Sequence, residues 1–157
     1  MEKNFFCPEP QATEKLGLLL GGLLKTGDFI RLEGELGAGK TAFAQAVAQG
    51  AGVAPGTAIS PTFNIMNVYA GRVPVRHFDL FRLESAGELD FIGFGHYSGE
   101  EGINIVEWGG RFPEAMPEEG LVVKITVCQD GRRFSFLPAG ARYEELCREV
   151  ERAYIGH

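Results

Sequence analysis

Eight consecutive residues, Gly34-Glu35-Leu36-Gly37-Ala38-Gly39-Lys40-Thr41, limit what this chain can fold into more than any other feature. They fit G-x-x-x-x-G-K-[ST]. They follow a short β-prone run, Phe29 to Glu33, and open an alanine-rich helical run, Lys40 to Gln49, with Phe43, Ala46 and Val47 on one face. A strand, a glycine loop and a helix in that order form an anion cradle. The glycines let the backbone wrap closely around phosphates with successive N–H groups turned inward, and the helix start adds its positive end. Lys40 supplies a compact positive charge for the β- and γ-phosphates, and Thr41 offers a hydroxyl suited to Mg²⁺. A glycine-rich turn before a surface lysine explains the segment poorly, because three glycines in six residues would carry a needless entropic cost.

Composition narrows the class further. The 157 residues include 22 glycines, about twice the usual ~7%, without the period of collagen or the bias of a low-complexity chain. Hydrophobic content of 45% and charged content of 23% are globular values. The richest apolar run, Leu16 to Leu24, is interrupted by glycines and lacks a basic leader or a cleavage pattern, so it reads as a buried helix rather than a membrane span. Cys7, Cys128 and Cys147 are odd in number and far apart, which suits reduced thiols in a cytoplasm. A net charge of −6 argues against gripping nucleic acid by bulk charge. Any nucleic acid is expected to be held by another chain, with direct contact limited to a local one through Arg76 or Arg82.

Periodicity predicts a first helix over Gln11 to Lys25, with Leu16, Leu19, Leu20, Leu23 and Leu24 at helical steps and Gly27 as a stop. Ile65 to Tyr69 and Val73 to Phe78 read as a hairpin or two close strands around Ala70-Gly71. Ser85 with Glu88 is a capping box that opens a short helix. Ile103 to Val106 is a compact strand, and Leu121 to Cys128 turns at Gln129-Asp130-Gly131 into Arg133 to Leu137. A charged amphipathic helix, about 141–154, ends the chain. The expected architecture is α/β: one P-loop NTPase-like domain over 1–157, in three layers, with a mixed, largely parallel central sheet and a C-terminal β-hairpin.

A P-loop needs a carboxylate at the end of a neighbouring strand to hold Mg²⁺, usually through water. Asp79, closing Val75 to Phe78, is the best candidate; the competing reading is a turn cap before Leu80. His77 reads as a packed strand residue, since no second histidine lies near it in sequence to build a metal site. Ile59-Ser60-Pro61-Thr62-Phe63 is either a Pro-containing turn or a switch in which Thr62 reaches the Mg²⁺ or γ-phosphate. Glu107 ends the Ile103 to Val106 strand and, in a parallel sheet, faces the same crevice as the loop, where it could hold or orient the attacking water. Trp108, the only tryptophan, either walls in the nucleotide or packs in the core.

Taken together, Gly34 to Thr41, Ser60-Pro61-Thr62-Phe63, His77-Phe78-Asp79-Leu80-Phe81-Arg82-Leu83 and Val106-Glu107-Trp108 resemble the motifs of the bacterial TsaE (YjeE) family, in the same order and over about 11–137. The resemblance implies an ATP- and Mg²⁺-binding protein whose slow hydrolysis supports the TsaD and TsaB proteins in forming threonylcarbamoyladenosine at position 37 of tRNAs reading codons that begin with A. It implies Thr41 and Glu107 at the Mg²⁺ site, Asp79 as the Walker-B-like acid, Thr62 as the switch threonine and Trp108 at the nucleotide's border. Thr13 looks like the family residue facing the base, and Arg132 like another nucleotide neighbour. Phe81 departs from the family's common Tyr, and Gly110 stands where an acidic residue often follows the Glu-Trp pair.

The main rival is a small-molecule kinase, which would need a second-substrate pocket and usually several lid arginines; the only adjacent pair here is Arg132-Arg133, in the expected hairpin. A GTPase lacks support because no Asn-Lys-x-Asp guanine reader is present. A nucleotide-dependent adaptor without turnover shares every loop feature and is separated only by measuring hydrolysis.

Overall fold

The computed structural model describes residues 1–35, 37–58, 65–97 and 100–155. Leu36 and the whole Ser60-Pro61-Thr62-Phe63 segment, with its expected switch threonine Thr62, lie outside the described residues. As the motif requires, strand β2 (Phe29–Glu33) enters the glycine loop and a helix, Lys40–Gly50, leaves it. The full order places β1 (Lys3–Cys7) and α1 (Pro10–Leu23) before β2, and α2 (Lys40–Gly50) after it. Then come β3 (Met66–Ala70), β4 (Pro74–Asp79), α3 (Ala86–Phe91), α4 (Phe94–Tyr97) and β5 (Ile103–Glu107). Two short 3₁₀ turns lead to β6 (Gly120–Cys128), β7 (Gly131–Ala139) and α5 (Ala141–Ile155).

The strands form one sheet in the order β1-β7-β6-β2-β5-β4-β3. Its four central strands, β6, β2, β5 and β4, run parallel, while β1, β7 and β3 join antiparallel. The expected mixed sheet and C-terminal hairpin are both present. Side chains alternate between two buried layers. On one face Ile30, Leu32, Val75, Ile103 and Ile105 pack with Leu16 and Leu20 of α1, Phe43 and Val47 of α2, and Leu146 and Val150 of α5. On the other, Phe29, Phe78 and Val106 meet Leu89, Phe94 and Met116. By the period of two, His77, Asp79 and Glu107 therefore lie on the α2 face of the sheet.

Two elements depart from the sequence expectation. Strand β1 was not expected, yet it pairs with β7 from Lys3↔Phe136 to Cys7↔Arg132, and Phe5 meets Phe136 edge-on at 4.8 Å. Helix α4 was likewise not expected. The capping box is present in part: the Ser85 hydroxyl accepts from the Glu88 N–H at 3.2 Å, while the Glu88 carboxylate accepts from the Glu84 N–H at 2.8 Å. No helix among the described residues is long and apolar enough to cross a membrane.

Helices α1 and α2 touch backbone to backbone. A Cβ built on Gly21 would lie 2.0 Å from the Val47 carbonyl oxygen and 2.9 Å from the Ala51 nitrogen. Arg72 ties the ends of both helices, donating to the carbonyls of Gly50 (2.7 Å), Gly21 (2.9 Å) and Leu24 (3.0 Å). Gly21→Ala is accordingly expected to destabilise the protein by about 2 kcal/mol, because overpacking costs ~1–3 kcal/mol while the gain in helix propensity is at most ~1 kcal/mol. A urea midpoint equal to or above that of the wild type would refute this.

The last helix is fastened to the start of β2. Arg142 grips Asp28 through Nη2–Oδ2 (2.7 Å) and Nε–Oδ1 (3.1 Å), and the Tyr143 hydroxyl accepts from the Phe29 N–H at 3.0 Å. Helix α5 thus braces the strand that delivers the phosphate loop. One expectation is corrected here: Arg76 is 4% exposed and donates to Asn104 Oδ1 (2.8 Å) and to the carbonyls of Glu101 (2.9 Å) and Glu100 (3.2 Å). It is a sheet-face strut, out of reach of a tRNA, whereas Arg82 stays exposed.

Candidate functional site

The loop after β2 has the backbone that an anion cradle needs. Gly37 and Gly39 sit at φ +81° and +106°, in the left-handed region that favours glycine, and a Cβ at either would meet nothing within 4 Å. The glycines are thus required by the turn itself and keep the space above it open. Gly39 is the N-cap of α2 and makes no side-chain cap bond, so the first helical N–H groups have no capping side chain and suit an anion.

Lys40 is buried, and its ammonium donates to the carbonyls of Gly34 (2.5 Å) and Glu35 (3.0 Å). It also stands 4.2 Å from the centre of the Trp108 ring, a cation–π contact. Burial lowers the lysine pKa from its ordinary value, and the charges of Glu107 and then Asp79 oppose that shift. The two carboxylates that the sequence singles out therefore share an electrostatic site with Lys40.

Sheet register explains how they arrive there. Asp79 and Glu107 are direct partners across β4 and β5, and Glu107 also faces Leu32 of β2. The strand beside β2 is β5, with β4 one further out, so Glu107 rather than Asp79 ends the strand next to the phosphate loop. Asp79 Oδ1 accepts from the Phe81 N–H at 3.0 Å, so the turn-capping reading of this residue holds for one of its oxygens. Glu107 is 2% exposed, and its Oε2 lies 2.6 Å from His77 Nε2. The sequence marks His77 as a packed strand residue; its approach to Glu107 depends on the register of β4 against β5, which spacing does not show.

Trp108 takes φ +64°, which is strained for a bulky residue and characteristic of functional sites. The turn brings its indole under Lys40 and against Phe81, with ring centres 5.0 Å apart. Phe81 makes this contact without needing the hydroxyl of the tyrosine it replaces. At Gly110, a Cβ would come within 3.2 Å of the Glu33 carboxylate, so an acidic side chain there would meet an existing negative charge.

Cavities flank the loop. One, of about 420 Å³, is lined by Thr13, Ala38, Gly39, Ala42, Gly131 and Arg132, among others. Arg132 Nε donates to the Ala38 carbonyl at 3.1 Å and so reaches the loop's edge, in the cavity that Thr13 also lines. Another, of about 290 Å³, is lined by Gly34, Lys40, Trp108, Gly110 and Arg111 with Leu32 and Glu33. The first suits a nucleoside in size, and the second adjoins the lysine and the indole. Thr41 is half-buried in the first turn of α2. Among the described residues no cluster of three or more His, Cys, Asp or Glu could hold a metal alone. Thr41, Asp79 and Glu107 carry the hydroxyl and carboxylate oxygens of the kind Mg²⁺ takes, one or two carboxylates with phosphate oxygens and water completing its shell.

Known proteins are similar to this chain in sequence and in fold. The tRNA threonylcarbamoyladenosine biosynthesis protein TsaE of Bacillus subtilis (strain 168) is 38% identical over 147 residues, covering 91% of this chain and 90% of that protein. The protein of the same description from Treponema pallidum (strain Nichols) is 36% identical over 123 residues, covering 78% of this chain and 90% of that one. The crystal structure of Bacillus subtilis YdiB matches with a TM-score of 0.79 and 31% identity, covering 98% of this chain and 96% of that chain. The model of the family described as threonylcarbamoyl adenosine biosynthesis protein TsaE matches residues 7–134, and the chain belongs to that family.

Proposed function

We propose that this protein is a single-domain, cytoplasmic ATPase that binds ATP with Mg²⁺ and hydrolyses it slowly, in support of TsaD and TsaB as they form threonylcarbamoyladenosine at position 37 of tRNAs reading codons that begin with A. The observation that carries the nucleotide reading is Lys40, buried inside a left-handed glycine loop and sharing its surroundings with the strand-end carboxylates Glu107 and Asp79. Membership of the TsaE family supports the pathway.

Base and ribose would occupy the cavity edged by Thr13 and Arg132, with the phosphates crossing Gly34 to Thr41 toward Lys40 and Trp108. Loop N–H groups and the start of α2 bind phosphate oxygens, and Lys40 exchanges its carbonyl partners for the β- and γ-phosphates. Thr41, Asp79 and Glu107 would hold Mg²⁺, which when bound neutralises charge developing on the phosphates. Glu107 also orients the attacking water, and Thr62 senses the γ-phosphate. Turnover is slow because Arg132 faces the loop from the nucleoside side and Arg111 donates to the Phe81 carbonyl, so neither is set on the transferring group. The protein meets tRNA through its partners, in keeping with its net charge of −6.

The test is mass spectrometry of tRNA nucleosides after depleting the protein in its source organism. Threonylcarbamoyladenosine is expected to fall, with recovery on re-expression of the wild type and not of Lys40→Ala. Normal levels after depletion would count against the pathway.

A further inference from the structure

His77 and Glu107 are both 2% exposed, and His77 Nε2 lies 2.6 Å from Glu107 Oε2. They stand on neighbouring parallel strands, His77 opposite Ile105 and Glu107 opposite Asp79, so the imidazole reaches along the sheet to the residue that ends β5. Its neighbours on that face are mixed: Val75 behind it and Ile105 beside it are apolar, while Asn67 of β3 stands directly opposite and Asp79 follows on the same strand. A carboxylate accepts, so the tautomer that fits carries its hydrogen on Nε2. Among the described residues no donor takes Glu107 Oε1.

We infer that His77 is a positioning residue: its bond to Oε2 fixes the Glu107 carboxylate and leaves Oε1 for the site shared with Lys40, so that the magnesium response of nucleotide binding depends on His77. This rests on the proposed magnesium role of Glu107. Residues that orient a metal-binding side chain without touching the metal commonly change metal affinity about 10–100-fold when lost. Glu107 is exposed to that effect because it ends a strand and is followed by a residue in a left-handed conformation, Trp108 at φ +64°. Among the described residues its side chain has one hydrogen-bonding anchor, His77.

The experiment measures ATP affinity by calorimetry on the full chain, once in EDTA and once in saturating Mg²⁺, for wild type, His77→Leu, His77→Asn, His77→Gln and Glu107→Gln, with a thermal melt of each. Gln carries an amide N–H near the position of Nε2, whereas Asn ends short of it. His77→Leu and His77→Asn are expected to lose the magnesium-dependent gain in affinity by about tenfold or more, with affinity in EDTA unchanged. His77→Gln should stay within about threefold of wild type, as a retained donor predicts. If His77→Leu does not fold, the contrast between Asn and Gln decides. A folded Leu or Asn variant with the full magnesium response, or a Gln variant as impaired as Asn, overturns the inference. If Glu107→Gln itself keeps the response, the magnesium reading falls and the inference falls with it. Loss in Glu107→Gln alone overturns only the role of His77.

Discussion

Lys40→Ala will reduce ATP turnover to background, a loss of about 10²-fold or more, and weaken ATP binding by about 10–100-fold. The binding figure follows from losing one charge-assisted hydrogen-bonding group, worth roughly 1.5–3 kcal/mol. The turnover figure is larger because a lysine that follows the γ-phosphate stabilises charge in the transition state as well as in the bound substrate. Competition inside the protein limits the binding effect. Lys40 already donates to the Gly34 and Glu35 carbonyls and lies over Trp108, so phosphates replace existing contacts rather than meeting a bare charge. The direction of its pKa works the other way: burial disfavours the charged lysine, and a bound polyanion offsets that penalty. Phosphate release and a Trp108 fluorescence titration check both effects, since the indole sits 4.2 Å from the ammonium and is the only tryptophan. Unchanged affinity and turnover would remove the P-loop assignment.

The core of the site was readable because its signals are local. The strand-loop-helix passage from Phe29 through the glycines to Lys40 occupies contiguous residues, and each glycine conformation follows from the turn. The same holds for β3 and β4, joined by a short turn, and for the β6–β7 hairpin. What could not be read is what depends on register between distant segments. Strand β1 has adjacent phenylalanines, Phe5 buried and Phe6 exposed, and its partner β7 lies more than a hundred residues away. The lateral order β2-β5-β4, which puts Glu107 ahead of Asp79 beside the loop, is likewise invisible to spacing. The bond between His77 and Glu107 depends on that order and on the register of β4 against β5. Helix α5 lies outside the matched residues 7–134, yet Arg142 and Tyr143 brace Asp28 and Phe29 at the root of the P-loop strand. Its role is architectural and emerges only from the fold.

Glu107→Ala will separate hydrolysis from binding: turnover is expected to fall about 10²-fold or more, as loss of a water-orienting carboxylate does, while ATP affinity in EDTA changes by less than about threefold. The asymmetry follows from position. Glu107 ends β5 on the face that carries Lys40 and, among the described residues, its side chain makes no hydrogen bond to the loop backbone, so the phosphate cradle is expected to survive its removal. The charge that Lys40 feels from it does vanish, which shifts the lysine further toward its neutral form and gives a small additional loss at high pH. Alanine also strips His77 of its carboxylate and leaves a buried imidazole without that partner, so part of any loss could come from the sheet rather than the chemistry. Glu107→Gln removes that ambiguity, because its amide oxygen still accepts from Nε2 at nearly unchanged volume. Equal turnover deficits in the Ala and Gln variants, with the Gln variant melting close to wild type, would place the effect in the carboxylate charge. Wild-type turnover in Glu107→Gln would leave Asp79, one strand further from the loop, as the acid that matters.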